Sequence, residues 1–397
     1  MAYPVKWYAS QMQGAPSLGD TTDGALAALL KAVLVTGFGQ LTITGLSWDA
    51  TEGAAVATVQ SGHKYLQDSV ALIEGVSPAA YNGEHRIKKV DTTRVWFELD
   101  GGNPGAAGSG AAMTIKVAPL GWTLTHESAD GKVAIYRPTD ISASGNVSLR
   151  VDNSAFSGWF GANYHAYLAK VAMVEDVVDI NTYTTIYEHR WPATKRFSDG
   201  RWDFIGDSQL FYFIPAYAAG NAQFVYSFGY IKSVRPGDRY HCIMNHYPST
   251  NAEEQARWWD QPNSNYASWG NNFPTLSNSA YRVLARPYTQ LFGVVNWWNI
   301  GLFTRIGAGL NVPNAPDNGF YLSTDPLMVL ENGSHLRGYM PGLVAPFATI
   351  PSWDRKNFAN LPAIPGKILR FLRVGHDESQ YNQAITMISF DLTGPWR

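Results

Sequence analysis

The residues of this chain with the most obvious chemical potential are tryptophans and aspartates. Trp258, Trp259 and Trp269 fall in a polar, asparagine-rich stretch, and Trp297 and Trp298 follow it. Flat indole faces can stack on sugar rings, so these residues could build a glycan platform. Asp203, Asp207 and Asp260 could then serve as acid and base, which glycosidases hold roughly 5 to 9.5 Å apart. Sequence alone fixes no such separation. Strands favour tryptophan for packing against neighbours in any case, and Phe204-Ile-Gly-Asp207-Ser208 reads equally well as a turn between strands. Trp258 and Trp259 stand apart, because adjacent residues on a strand face opposite ways. A tip bearing both would touch a partner or a receptor.

Other chemistries find less support. The nine histidines form no spaced ligand pair. His241 and His246 are not in a His-Glu-x-x-His frame, and Glu84-His85 and Glu188-His189 are isolated dipeptides, whereas a metal site needs three or four converging ligands. No cofactor is expected. A nucleophile elbow needs Gly-x-Ser-x-Gly, and neither Gly108-Ser109-Gly110 nor Gly206-Asp207-Ser208 supplies it. The glycine-rich stretch 101–110 lacks the Lys-Ser/Thr ending of a phosphate-binding loop and reads as a β-connection. No catalytic residue is assigned, and the chain is read as a non-enzyme.

Composition narrows the class. The 397 residues have room for two or three domains, and the 45% hydrophobic content can fill a sizeable core. Charged residues are only 16% and aromatics 13%, against about 25% charged in ordinary soluble domains. A surface so poor in charge and rich in Trp and Tyr suits subunit interfaces. The formal net charge of −2 comes without any basic block, so neither a nucleic-acid partner nor a membrane surface is expected. One cysteine, Cys242, rules out an intrachain disulfide and suits a reducing cytoplasm. The opening residues lack the apolar core of a signal peptide, so no export signal is expected. The apolar stretch from Ala25 to Val35 contains Lys31 and is too short to insert in a bilayer.

The elements that must carry these residues are mostly strands. Leu26, Leu29, Leu30 and Val33, with Leu34, recur at helical spacing between Asp20–Asp23, a run of capping residues, and the stop at Gly37 and Gly39. They mark a short docking helix whose stripe packs into a core. Beyond Gly39 the period becomes two, with short strands and frequent turns up to about residue 118, as in an all-β sandwich. A hairpin is expected from His85–Val90 and Val95–Leu99. From Pro119 onward the pattern remains β-rich, and Phe224–Ile231 alternates like a half-buried strand. Residues 245–280 read as a long insertion with one helical turn near Glu253–Trp259.

Several pieces, in their order, carry a resemblance. Trp7 is followed by Met12-x-Gly-Ala-Pro16, Gly24-x-Leu26-x-x-Leu29-Leu30 and Leu34-Val35-x-Gly37-Phe38-Gly39. Later come Leu120-Gly-Trp122, Leu149-Arg-Val-Asp152, Trp202-x-x-Ile-Gly-Asp207, Pro236-Gly-Asp238 and Arg337-Gly-x-x-Pro341-Gly342. This order resembles the tail-associated virion proteins of tailed bacteriophages and prophages of Gram-negative bacteria. The resemblance implies a docking segment and helix over 1–39, an immunoglobulin-like β-sandwich over 40–118, and a larger sandwich- or jelly-roll-like β domain over 119–397. It implies a structural component of the tail or baseplate, assembled in the host cytoplasm as a symmetric homo-oligomer with other virion proteins. A receptor- or glycan-binding, or glycan-cleaving, tail module that uses the Trp258, Trp259 and Trp269 insertion is the alternative.

Overall fold

The computed structural model describes residues 3–18, 23–139, 146–154, 168–193, 200–215, 225–245, 281–285, 296–301, 316, 321–322, 326–331, 335–346, 350–374 and 386–397. The protein is mainly β, built from antiparallel sheets, with one short α-helix among the described residues, near the start.

Strand β1 (Lys6–Ala9) precedes helix α1 (Ala25–Lys31), which a π-helical turn at Ala32–Thr36 prolongs. Leu26, Leu29, Leu30, Val33 and Leu34 are all fully buried, as their spacing requires. Gly37, with φ of 70°, ends the helical run. Its start differs from the expectation. The N-cap is Gly24, and no side chain of its own neighbourhood caps the helix. Instead the Leu26 N–H donates to Asn153 Oδ1 at 2.8 Å and the Gly24 N–H donates to the Asn153 carbonyl at 3.0 Å. Asp23 faces Lys132 at 3.8 Å, while Asp20, Thr21 and Thr22 lie outside the described residues.

The first sheet contains β2 (Phe38–Thr42), β3 (Gly45–Asp49), β4 (Ala54–Thr58), β5 (Val70–Glu74), β6 (Gly83–Val90), β7 (Arg94–Phe97) and β8 (Thr114–Val117). Their spatial order is β2-β8-β5-β6-β7-β4-β3. The two edge strands are neighbours in sequence, joined by Ile43 and Thr44. The Ile43 N–H donates to Met113 O on one flank and the Thr44 N–H to Thr58 O on the other, both at 2.9 Å. The run 38–49 therefore serves both edges and closes the sheet on itself, which removes exposed edges. Alternate residues point inward with the period of a strand: Ala55 and Ala57, Ala71 and Ile73, Val95 and Phe97, Ile115 and Val117 are all buried. The expected hairpin is present as β6 and β7.

Next comes a meander of β9 (Thr123–Glu127), β10 (Val133–Arg137), β11 (Ser148–Asp152), β12 (Leu168–Glu175) and β13 (Thr184–Pro192). The largest sheet adds β14 (Trp202–Gly206), β15 (Leu210–Pro215), β16 (Tyr226–Tyr230), β17 (Lys232–Ser233), β18 (Cys242–Asn245), β19 (Tyr281–Ala285), β20 (Asn296–Gly301), β21 (Met328–Glu331) and β22 (His335–Tyr339). Its order is β1-β14-β15-β16-β18-β19-β20-β21-β22-β17. Here too one run of chain serves two places. β16 pairs with β18 and, one residue later, β17 pairs with β22. The last sheet holds β23 (Leu343–Val344), β24 (Asn357–Leu361), β25 (Ile364–Val374) and β26 (Thr386–Asp391), ordered β23-β26-β25-β24.

One hydrophobic cluster runs through the molecule, from Val5 and Trp7 through Leu30, Trp122, Tyr136 and Phe211 to Trp396. Every residue of β14, β15 and β16 is buried, so these strands are covered on both faces. That corrects the half-buried reading of 224–231 over its described part, 225–231, where the alternation separates two packed faces, not core from water. Aromatic side chains fill the space, with Phe204 stacked on Phe211 at 4.7 Å and Trp122 edge-on to Phe211 at 5.2 Å. Strand β1 pairs with β14, with Trp7 opposite Ile205, so the N-terminal segment is an edge strand of the largest sheet.

Candidate functional site

Trp258, Trp259 and Trp269, together with Asp260 and the expected helical turn at 253–259, lie outside the described residues. Trp297 and Trp298 belong to β20, where their backbones pair with Leu284 and Val283. Leu26, Leu29, Leu30 and Val33 sit in the main core of the chain itself, beside Trp122 and Tyr136.

The two described aspartates of the acid/base set occupy separate buried ion pairs. Asp203 is fully buried on β14. Its Oδ1 accepts from Arg370 Nε at 3.0 Å and from Arg370 Nη2, and Arg355 Nη2 stands 3.2 Å from Oδ2. This last contact is ionic without hydrogen-bond alignment, since Oδ2 accepts no hydrogen bond. The far face of the Arg370 guanidinium lies 4.2 Å from the centre of the Trp7 ring. Asp207 shapes the β14–β15 turn. Its Oδ1 accepts from the backbone N–H groups of Gln209 and Leu210, each at 2.8 Å. Arg397 Nη1 reaches Asp207 Oδ2 at 3.2 Å, and Nη2 donates to Tyr230 O at 2.9 Å.

A third pair was not foreseen from the sequence. Arg337 on β22 donates from Nε and Nη2 to the two oxygens of Asp238 at 2.7 and 2.8 Å, and from Nη1 to Glu331 at 2.7 Å. Planar guanidinium groups suit such paired acceptors. His241 lies beside this pair with Nδ1 2.5 Å from the Asp238 carbonyl, and burial lowers its pKa. Each arginine joins strands far apart in sequence, so spacing held no signal for them. Chemically these groups act as clamps: their polar atoms face one another across sheets, inside the protein.

The histidine dipeptides separate as well. His85 faces Tyr81 O at 3.0 Å, while Glu84 pairs with buried Lys6. Burial and neighbouring Arg190 push His189 down to about 3. Among the described residues no group of three or more His, Cys, Asp or Glu side chains could hold a metal ion. The glycine-rich stretch is a connection that bridges Leu46 to Gly108 and Ser77 to Ser109. Cys242 is buried, which raises its pKa well above the usual thiol range. No helix among the described residues is long and apolar enough to cross a membrane.

Two surface features remain. A cleft of about 710 Å³ opens where β22 and β23 meet the start of β25. Tyr339, Leu343, Ile364, Pro395 and Trp396 line it with apolar groups, and Lys232, Lys367 and Asp391 supply charge. Beside it, the outermost strand β24 carries a separate small cluster. Ile350, Trp353, Phe358, Leu361 and Ile364 are only partly buried there, with Trp353 stacked on Phe358 at 4.2 Å. The chain matches no family model and no curated protein sequence.

Proposed function

We propose that this chain is a structural component of a tailed-phage virion, placed in the tail or baseplate. It assembles as a symmetric homo-oligomer in contact with other virion proteins, and its site of assembly is the host cytoplasm. The single observation that carries the assembly reading is the outer strand β24. It pairs only with β25 among the described residues. On and beside it, Trp353, Phe358, Leu361 and Ile364 are only partly buried. An unpaired edge with adjoining apolar side chains is a template for another chain. The reading assigns no catalytic residue. Supporting this, Asp203 and Asp207 face arginines inside the protein.

The immunoglobulin-like and jelly-roll-like assignments belong to this proposal. For the first, support comes from the closed antiparallel unit over 38–117 with its period-two core. For the second, support comes from the packing of the later sheets on one aromatic core. The glycan-binding alternative rests on tryptophans outside the described residues, and no described residue favours it.

Immunogold electron microscopy of purified phage particles encoded alongside this chain tests the proposal. Label at one tail position is the expected result. Particles that stay unlabelled, both intact and disrupted, would overturn it.

A further inference from the structure

The meander projects one hairpin whose tip is built to hold an apolar side chain in water. Between β12 and β13 the chain turns through residues 176–183. Val178 at this turn is 71% exposed, the most exposed large hydrophobic side chain among the described residues. The turn around it is tightly bonded. The Val178 N–H donates to Thr182 O at 2.9 Å. Asp179 Oδ1 accepts from the N–H groups of Asn181 and Thr182 at 2.7 and 2.9 Å. Asp179 Oδ2 accepts from Thr182 Oγ1 at 2.9 Å. Asn146 donates to Asp176 Oδ1 at 3.1 Å, and Arg150 Nε donates to Ile180 O at 3.2 Å. A preorganised loop loses little conformational freedom when it binds. It thus presents one valine flanked by two carboxylates, Asp176 and Asp179, both exposed.

The cleft at β22, β23 and β25 is complementary to this tip. Its walls are apolar, from Tyr339, Leu343, Ile364 and Pro395. Its rim carries Lys232 and Lys367 against a single carboxylate, Asp391. Lys367 is paired with that carboxylate at 2.9 Å. Lys232 is exposed and makes no ion pair among the described residues. A valine with flanking negative charge fits an apolar cleft with one uncommitted positive charge.

We infer that the 176–179 hairpin tip of one copy seats in the Lys232 cleft of the next copy, joining subunits head to tail. The inference rests on the homo-oligomer reading above and names its contact. In this head-to-tail arrangement the contact is heterologous rather than reciprocal, so successive copies close into a ring of three or more or continue as a filament.

Analytical ultracentrifugation of the full chain over a concentration series tests this with two exposed-site variants, Val178→Glu and Lys232→Glu. Both sites face solvent, so circular dichroism spectra matching the parent are expected. The parent assembles beyond a dimer. Each variant alone dissociates at concentrations roughly ten- to a hundredfold higher than the parent does, Val178→Glu by losing one buried valine contact and Lys232→Glu by setting a negative charge against the tip's two carboxylates. An equimolar mixture of the two recovers a dimer and stops there, because one intact tip and one intact cleft remain. Variants that assemble like the parent, or a mixture that stays monomeric, would overturn this contact. So would a parent that is monomeric or stops at a dimer. Particle labelling is unaffected by which contact operates, so label with unaltered variant assembly sinks the contact and leaves the virion reading standing.

Discussion

Arg370 lies with its guanidinium 4.2 Å from the centre of the Trp7 ring while its Nε and Nη2 both donate to Asp203 Oδ1. Strand β25, near the end of the chain, is thereby fastened to β14 and to β1 at its start. Arg370 is 1% exposed and Asp203 is 0% exposed. Arg355 Nη2 also stands 3.2 Å from Asp203 Oδ2, so without Arg370 the buried carboxylate keeps one counter-charge but loses both of its hydrogen bonds from Arg370.

Arg370→Ala is therefore expected to destabilise the fold by about 1.5 to 3 kcal/mol, the usual worth of hydrogen bonds to a charged group, since Arg355 remains beside Asp203. Arg370→Lys should recover part of this, since an ammonium keeps the charge but loses the forked donors and the planar stack. Urea unfolding midpoints of the three proteins check the order. Equal midpoints for Arg370→Ala and the parent would show that the clamp contributes nothing.

The helix cap makes a second expectation. Leu26 N–H has its acceptor on Asn153, across to the segment after β11. Asn153→Ala removes that acceptor and should cost about 1 kcal/mol, whereas Asn153→Asp keeps an oxygen in place and should cost less. Denaturant titration followed by far-ultraviolet circular dichroism separates the two. A larger loss for Asp than for Ala would show that the oxygen is not acting as a cap.

Acid should weaken the protein through His189. Its pKa is pushed down to about 3 by burial and then by Arg190, against an ordinary value near 6.5 in the unfolded chain. Between these values the unfolded state binds a proton that the folded state does not, so stability falls as pH falls through this window. The contribution is fully present above pH ~6.5, and the slope reaches at most about 1.4 kcal/mol per pH unit for one such group. Buried His85 and His241 shift in the same direction. His189 Nδ1 accepts from the Arg190 N–H at 2.7 Å; His189→Asn offers an oxygen acceptor without a titrating ring and should flatten the profile between pH ~6 and pH ~4, as read from unfolding midpoints at each pH. An unchanged slope would assign the acid sensitivity elsewhere.

Gly342 forms part of the cleft wall with φ of 73°, and an added Cβ would come within 2.1 Å of the Trp396 ring. Gly342→Ala must displace that ring or the backbone, which adds overpacking of about 1 to 3 kcal/mol to the strain of a left-handed alanine. A lowered melting temperature is expected. Gly53→Ala is the control: its φ of 59° brings similar backbone strain, yet nothing lies within 4 Å of the added atom. Equal losses for the two would remove Trp396 as the cause.

Local pattern determined a good part of this protein. The stripe of Leu26, Leu29, Leu30 and Val33 requires a helix with one buried face, and that is where these residues lie. The β6–β7 hairpin was legible because its two strands are separated by a short turn, in which Asp91 Oδ1 accepts from the N–H groups of Thr93 and Arg94. Low charge and abundant aromatics read as a mark of subunit interfaces, whereas the aromatics of β14 to β16 lie in strands buried on both faces. The tertiary structure decided what such periodicities cannot encode. Pairing of β1 with β14, closure of the first sheet through Ile43 and Thr44, and the bond between Arg370 and Asp203, which are 167 residues apart, all depend on which distant segments meet. The sequence prescribed which face of each element avoids water, because that is a property of neighbours along the chain. The partner that covers each face, and so whether an aspartate becomes a clamp or a valine is left in solvent, emerged only when the whole chain competed for the same core.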